Sequence, residues 1–190
     1  MRTIDKIYTN EIIIKNSRFI TILFPINSDN ITELINKVKI DYPKATHYCY
    51  SYILENHQKA SDDGEPGGTA GMPMLNVLLK EELINVLAVT VRYFGGIKLG
   101  AGGLVRAYTK SVKDAIDNAL LLDVEKGYKV RIKIMYNEQK QLDYILKNHQ
   151  IIDKNYDEDV TYTILISKDN LDILSYYNYE IIDEEYIKRN

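Results

Sequence analysis

The spacing of hydrophobic residues predicts alternating strands and helices along the first two-thirds of this 190-residue chain. Apolar and β-branched residues fill 3–14 and 18–24, which predicts two strands joined by a tight turn at Lys15-Asn16-Ser17. Both faces of the second strand are apolar, so we expect a sheet that is covered on at least part of each side. The predicted elements of this part are strands 3–14, 18–24, 46–54 and 84–93, helices 69–80, 104–121 and one from Ser28 or Asp29 to Ile40, and a polar loop at 55–68.

The pattern restarts after Gly127. It predicts strand 128–136, helix 138–148, strands 151–156 and 160–167, a short helix 169–176 and strand 180–187. This β-α-β-β-α-β order is that of a ferredoxin-like unit. We therefore predict an α+β protein with one domain at 1–124, which carries the glycine-rich loops, and a ferredoxin-like domain at 127–190.

The charge distribution argues against a dedicated nucleic-acid-binding domain. The formal net charge is −3, and all of it comes from residues 127–190, which hold nine Lys or Arg and twelve Asp or Glu. Neither part is basic overall, so any RNA contact would use a local patch. The single cysteine, Cys49, is typical of a reducing compartment. No apolar run approaches the length of a membrane span and the N-terminus lacks a signal-peptide pattern, so we expect a cytoplasmic protein.

Nine of the ten glycines lie between Gly64 and Gly103, in two loops. The first loop carries the carboxylates of Asp62, Asp63 and Glu65, which could bind Mg²⁺ or Ca²⁺ or supply an acid with a raised pKa. The same residues are also typical of turns and of the anionic N-terminus of a helix. The spacing does not match an EF-hand.

The second glycine loop joins a strand to a helix, a geometry that offers free backbone N–H groups to an anion. It matches neither the P-loop pattern nor the dinucleotide-binding fingerprint. Its flanking cations could neutralise phosphates of a nucleic acid or nucleotide, or Arg92 and Arg106 could pair with the carboxylates of the first loop. The candidate residues of this loop are Arg92, Gly95, Gly96, Lys98, Gly100, Gly102, Gly103 and Arg106.

Two further groups are secondary candidates. His47 and Cys49 share one face of a strand, where they could form a nucleophilic or metal site, although a half-buried structural role is favoured. Lys129, Arg131 and Lys133 alternate on one strand and could form a basic stripe. In a ferredoxin-like sheet the last strand lies beside the first, so Asp183 and Glu185 would neutralise that stripe.

Long motifs in both glycine loops resemble the YigZ/IMPACT family, in the form of its bacterial two-domain members. The resemblance covers residues 1 to about 122, and the remainder is similar in length and pattern to the small C-terminal domain of the bacterial members. Gly67 and Ala101 are mild departures from the family pattern. The matching motifs are Lys15-x-Ser17-Arg18-Phe19, Ala45-Thr46-His47, Asp62-Asp63-Gly64-Glu65-Pro66-x-Gly68-Thr69-Ala70-Gly71-x-Pro73 and Arg92-Tyr93-Phe94-Gly95-Gly96-x-Lys98-Leu99-Gly100-x-Gly102-Gly103-Leu104-x-Arg106-Ala107-Tyr108.

The resemblance implies an N-terminal α/β sandwich like the second domain of a small-subunit ribosomal protein. It implies a C-terminal domain like the fifth domain of elongation factor G. Eukaryotic relatives act by protein binding in translational control, where they compete for an activator of an initiation-factor kinase. The family has no established catalytic residues to transfer to this chain.

Three functions follow from these observations. The first is a non-enzymatic, translation-associated regulator that binds RNA, the ribosome or a translation-related protein through the glycine-loop surface, with no cofactor. The second is a metal-dependent hydrolase or phosphotransfer enzyme, in which Asp62, Asp63 or Glu65 holds a divalent ion and the second loop holds an anionic substrate. In the third, both loops serve only packing.

Overall fold

The computed structural model describes residues 1–27 and 30–189. The predicted helix cap at Ser28 or Asp29 lies outside the described residues. The chain divides into two compact units, Met1–Leu122 and Asp123–Asn190. None of the helices in the described residues combines the length and the hydrophobicity of a membrane span.

The first unit is built on an antiparallel five-stranded sheet in the order β2-β3-β6-β4-β5. The two strands predicted to be apolar on both faces, β3 and β6, lie at its centre. The elements of this unit are β1 (Arg2–Ile4), β2 (Tyr8–Ile14), β3 (Ser17–Pro25), α1 (Ile31–Asp41), β4 (His47–Ile53), β5 (Gln58–Ser61), α2 (Gly71–Lys80), β6 (Val86–Tyr93) and α3 (Ala101–Asp117).

Helices cover both faces of this sheet, which explains why β3 is apolar on both sides. Val38 of α1 packs with Ile22 and Val89 on one face. On the other face the ring of Tyr108 in α3 meets Phe19 edge to face, with centroids 5.2 Å apart. The prediction of a sheet covered on both sides is confirmed, and it places α3 directly over the sheet.

The structure corrects several predicted boundaries in the first unit. The segment 55–68 was expected to be entirely loop, but it contains the short edge strand β5, which pairs with β4. The predicted strand 3–14 is interrupted between Ile4 and Tyr8. Helix α3 begins at Ala101, because Gly100 adopts φ 72° and ends the preceding loop, and the helix ends at Asp117.

The second unit is an antiparallel sheet in the order β10-β7-β9-β8, packed on helical segments. Its last strand lies beside its first, as the ferredoxin-like prediction requires. The predicted helix 169–176 is a 3-10 helix, Lys168–Leu174. The elements are β7 (Leu121–Ile134), α4 (Gln139–Ile145), β8 (Gln150–Tyr156), β9 (Val160–Ser167) and β10 (Tyr179–Lys188).

Strand β7 starts at Leu121, seven residues before the predicted strand 128–136. The sequence analysis treated Gly127 as part of a break, but Gly127 pairs with Glu185 on one side and Ser167 on the other. A Cβ at this position would lie 2.6 Å from the backbone oxygen of Ile166, so the close approach of β9 accounts for glycine here.

Candidate functional site

The Asp62 carboxylate holds the start of α2. Its oxygens accept backbone N–H groups from Gly68, Ala70 and Gly71 at 2.8, 2.9 and 2.8 Å. Burial alone would raise the pKa of Asp62, but these three donors more than offset it, so the pKa lies below its usual value. Asp62 is therefore the anionic anchor of a helix N-terminus.

Asp63 joins the same loop to strand β4. Its Oδ2 accepts the backbone N–H of Tyr48 at 2.7 Å, and its carbonyl oxygen lies 2.8 Å from Nδ1 of His47. Asp63 has φ 41° and is followed by Gly64 with φ 84°, so two successive residues in the left-handed region turn the loop back onto the strand. His47 thus orients the loop backbone.

Glu65 lies at the centre of a buried polar network. Its Oε1 accepts hydrogen bonds from Nη1 of Arg92 at 2.6 Å and from the hydroxyl of Tyr108 at 2.8 Å. Its Oε2 lies 3.8 Å from Nε2 of His47. The Glu65 and Arg92 side chains are only 3% and 6% exposed, so the carboxylate compensates a guanidinium inside the protein. This pair connects the first glycine loop to strand β6.

Cys49 is fully buried beneath this network. Its thiol donates to the carbonyl oxygen of Asp62 at 2.9 Å, and its sulfur lies 3.3 Å from the Tyr108 hydroxyl. Burial, against the lowering effect of the Tyr108 hydrogen bond and with a contribution from the nearby carboxylates, raises the pKa of the Cys49 thiol to about 12. A buried thiol with a raised pKa stays protonated at neutral pH, which favours the structural role of Cys49 over the nucleophile alternative.

These contacts occupy the oxygen atoms that a divalent cation would need. Asp62 accepts three N–H groups, Asp63 accepts one, and Glu65 is paired with Arg92. Within residues 1–27 and 30–189, no group of three or more His, Cys, Asp or Glu side chains is arranged to hold a metal ion. The turn and helix-anchor interpretation therefore accounts for Asp62 and Asp63, whereas Glu65 is accounted for by its ion pair with Arg92.

The second glycine loop packs against the β2–β3 turn. Lys15 and Asn16, with φ 45° and 65°, form a two-residue turn in which both central residues are left-handed. Gly95 approaches this turn so closely that a Cβ would lie 2.1 Å from the carbonyl carbon of Asn16. The Gly95 N–H also donates to Oγ of Ser17 at 3.2 Å. The loop and the turn therefore form one continuous surface.

The cations of this loop have different environments. Arg92 is buried and paired with Glu65, as one of the two alternatives predicted. Arg106 and Lys98 are exposed, and neither forms an ion pair within the described part of the chain. Between Glu82 and Asp114 the sequence has five Lys or Arg residues and no Asp or Glu. Arg92, Lys110 and Lys113 are paired with carboxylates, so Lys98 and Arg106 supply the positive charge on the surface of the second loop.

Gly96 and Gly100 have φ 83° and 72°, which other residues rarely adopt, so they set the path of the loop. Gly102 and Gly103 lie in the first turn of α3, and its first intrahelical hydrogen bond runs from the N–H of Leu104 to the carbonyl of Gly100. The N–H groups before Leu104 lack helix partners.

Comparison with known proteins identifies the family. The Impact N-terminal domain model matches residues 15–116, more than half of the chain. The chain belongs to the IMPACT family. It is 48% identical over 120 residues to IMPACT family member YvyE of Bacillus subtilis, covering 61% of this chain and 55% of YvyE. It is 42% identical over 109 residues to IMPACT family member YigZ of Escherichia coli, covering 54% of this chain and 53% of YigZ.

A solved structure extends the similarity beyond the family model. The crystal structure of a hypothetical protein is 26% identical and has a TM-score of 0.67, covering 96% of this chain and 97% of the other. By contrast, the chain spans about half the length of the curated IMPACT relatives that it matches. The similarity in fold to this solved structure therefore extends over both units of the IMPACT-family chain.

The basic stripe of the second unit of this IMPACT-family chain is largely neutralised. Arg131 pairs with Glu180 at 3.2 Å, and Lys133 pairs with Asp159 at 2.9 Å. Lys129 lies opposite Asp183 in the β7–β10 register. The predicted partner Glu185 is instead opposite Gly127, because the antiparallel register that sets Asp183 opposite Lys129 carries Glu185 beyond the stripe.

Sequence reasoning did not assign roles to three residues that the structure places at the site. Tyr108 was assigned to the apolar face of α3, yet its hydroxyl donates to Glu65. Ser17 accepts the Gly95 N–H. Lys15 reaches a small cavity beside α3. The available signal was that all three lie within the motifs that resemble the IMPACT family.

Proposed function

We propose that this chain is a non-enzymatic, cytoplasmic, translation-associated regulator that binds RNA, alone or in the ribosome, through the second glycine loop. The contact region, here called the loop surface, consists of Phe94, Ile97, Lys98 and Arg106. The observation that carries the proposal is the charge separation at the site. The acidic loop turns its carboxylates inward to Arg92 and to backbone N–H groups, whereas Lys98 and Arg106 remain exposed.

The chemistry of the loop surface suits a single-stranded nucleic acid. Exposed cations neutralise backbone phosphates and supply most of the sequence-independent affinity. Phe94 and Ile97 are 47% and 46% exposed beside those cations. An exposed aromatic ring next to a cationic groove offers a base a stacking surface.

The IMPACT membership supports the link to translation, because the eukaryotic relatives act in translational control. We also propose functional domains at 1–124 and 127–190. The first would share the fold of the second domain of a small-subunit ribosomal protein, and the second the ferredoxin-like fold of the fifth domain of elongation factor G. The antiparallel strand order β10-β7-β9-β8 supports the second assignment.

Fluorescence anisotropy with a labelled single-stranded RNA, titrated at several salt concentrations, tests this function. Lys98→Gln and Arg106→Gln should each weaken binding and reduce the slope of log K against log salt by about 0.7, the value for one phosphate contact in a single strand. Lys80→Gln, an exposed lysine at the end of α2, is the matched control and should leave the slope unchanged. Absence of any salt-sensitive association with RNA or ribosomes refutes the proposal.

A translation-related protein is a second candidate partner, because exposed Phe94 and Ile97 form an apolar feature within the cationic surface. A double variant, Phe94→Ser with Ile97→Ser, distinguishes the two candidates. If the partner is a protein that binds in the absence of RNA, the double variant should abolish binding, and Lys98→Gln should have a smaller effect. For RNA, the double variant should weaken binding while the salt slope stays the same.

A further inference from the structure

A small cavity lies between the β2–β3 turn and the first three turns of α3. Its volume is about 240 Å³, and we call it the hairpin pocket. Three cationic side chains line it: Lys15 from the turn, and Arg106 and Lys110 from α3. Arg106 and Lys110 are four residues apart on the helix, where like charges destabilise each other. The fold therefore brings three positive charges to one cavity.

Only one of these cations is neutralised by the protein. Nζ of Lys110 contacts both carboxylate oxygens of Asp114, at 2.7 and 3.0 Å. Lys15 and Arg106 form no ion pair with any other described residue. The three cations and the one carboxylate leave a net charge of +2. That charge matches a phosphate monoester, which carries −1.5 to −2 at neutral pH.

The remaining lining limits what can enter with the phosphate. Ile14, Leu99 and Ala107 form an apolar wall, and Gly103 contributes backbone from the first turn of α3. The N–H of Gly103 precedes the first intrahelical hydrogen bond of α3, from Leu104 to Gly100, so it has no partner within the helix. A volume of about 240 Å³ is smaller than the 300–1,000 Å³ of pockets that enclose whole small molecules. It accommodates a phosphate and part of a sugar.

We propose that the hairpin pocket binds a terminal phosphate monoester, either at the 5′ end of an RNA or on a free mononucleotide. The forked guanidinium of Arg106 supplies paired donors to the phosphate oxygens, and the ammonium groups of Lys15 and Lys110 supply point charges. The RNA arm of this inference rests on the proposed function, whereas the nucleotide arm is independent of it.

The experiment compares matched ligands that differ in one phosphate. AMP and adenosine are titrated by calorimetry, and a 5′-phosphorylated RNA and its 5′-hydroxyl twin are titrated by anisotropy. The unaltered chain should bind the phosphorylated member of a pair about tenfold more tightly, which is the value of one charge-assisted hydrogen bond. AMP binding should strengthen as pH rises through about 6, where the monoester loses its second proton.

Variants assign any preference to the pocket. Arg106→Gln and Lys15→Gln should each abolish the preference for the phosphorylated ligand, and Arg106→Lys should retain part of it. Lys98→Gln should weaken RNA binding generally and leave the preference intact. Because these side chains are exposed, the far-UV circular dichroism and melting temperature should not change.

Each result is decisive. A phosphate preference for AMP without RNA binding supports the pocket with a nucleotide ligand and refutes the RNA function. Equal affinity for phosphorylated and hydroxyl RNA, with no AMP signal, overturns the pocket and leaves the RNA function standing. A preference that survives both Arg106→Gln and Lys15→Gln also overturns it.

Discussion

Removing the Glu65 carboxylate should be among the most destabilising single changes in the first unit. Glu65→Ala leaves the Arg92 guanidinium in a site where its side chain is 6% exposed, without the oxygen that lies 2.6 Å from it. Breaking a buried ion pair from one side costs about 3–5 kcal/mol. The Tyr108 hydroxyl loses its acceptor as well, and an unsatisfied buried group costs about 1–3 kcal/mol. The two costs overlap, since both arise at one oxygen, so we expect a loss of about 3–5 kcal/mol.

Urea unfolding followed by far-UV circular dichroism measures this loss. The chain has two compact units, so the fit should allow two transitions, and the change should appear in the one assigned to the first unit. Glu11→Ala is the matched control, because Glu11 pairs with Arg18 at 2.8 Å with both side chains well exposed. An exposed pair contributes about 0–1 kcal/mol. If Glu65→Ala costs no more than Glu11→Ala, the network around Glu65 does not stabilise the fold.

A double-mutant cycle separates the pair from its surroundings. Arg92→Met combined with Glu65→Gln removes both charges and keeps side chains of similar volume. Replacing a buried ion pair by neutral groups is often close to neutral for stability. The double variant should therefore lose about 1–3 kcal/mol less free energy of unfolding than the sum of the losses in the two single variants. Strict additivity would show that the two side chains act independently.

Three further results are expected. Gly95→Ala should lower the free energy of unfolding by about 1–3 kcal/mol or more, because the added Cβ would overlap the backbone of Asn16. Gly67→Ala is the control, since its Cβ would meet nothing within 4 Å, and equal urea midpoints for the two variants would contradict the clash. Native Cys49 should resist a thiol reagent at pH 8 and react once urea unfolds the chain, since burial raises its pKa to about 12; rapid native labelling would contradict this. The pKa of Asp62 is lower in the folded chain than in the unfolded chain. Its contribution to stability is therefore complete above the unfolded value of about 3.9 and disappears as pH falls through the folded pKa. Asp62→Asn should reduce the loss of stability with acid in urea titrations between pH 5 and 2, and an unchanged pH profile would count against the helix anchor.

Hydrophobic periodicity predicted the elements whose formation depends on burial. The central strand expected at 84–93 forms as Val86–Tyr93, and the second strand of the first hairpin, expected at 18–24, forms as Ser17–Pro25. Strand β5, Gln58–Ser61, was missed because it lies at the sheet edge and none of its side chains is buried. Its pairing with β4 depends on backbone hydrogen bonds, which leave no hydrophobic pattern in the sequence.

The candidate site was predictable in its residue types and only partly in its geometry. Asp62 and Glu65 are three residues apart and chemically alike, yet one anchors a helix and the other pairs with a buried guanidinium. Which of Arg92 and Arg106 pairs inward depends on the strand register and on the helix face. Those are tertiary features, so the sequence left both alternatives open.

The close approach of Gly95 to Asn16 also determines how a ligand would meet the hairpin pocket. The turn that carries Lys15 is in backbone contact with the loop that leads into α3, which carries Arg106, so both walls of the pocket are already packed together before a ligand binds. A ligand then has no segment to order on arrival, which removes a common entropic cost of association. In stopped-flow mixing, the observed rate should rise linearly with ligand concentration and show no plateau from a slower conformational step.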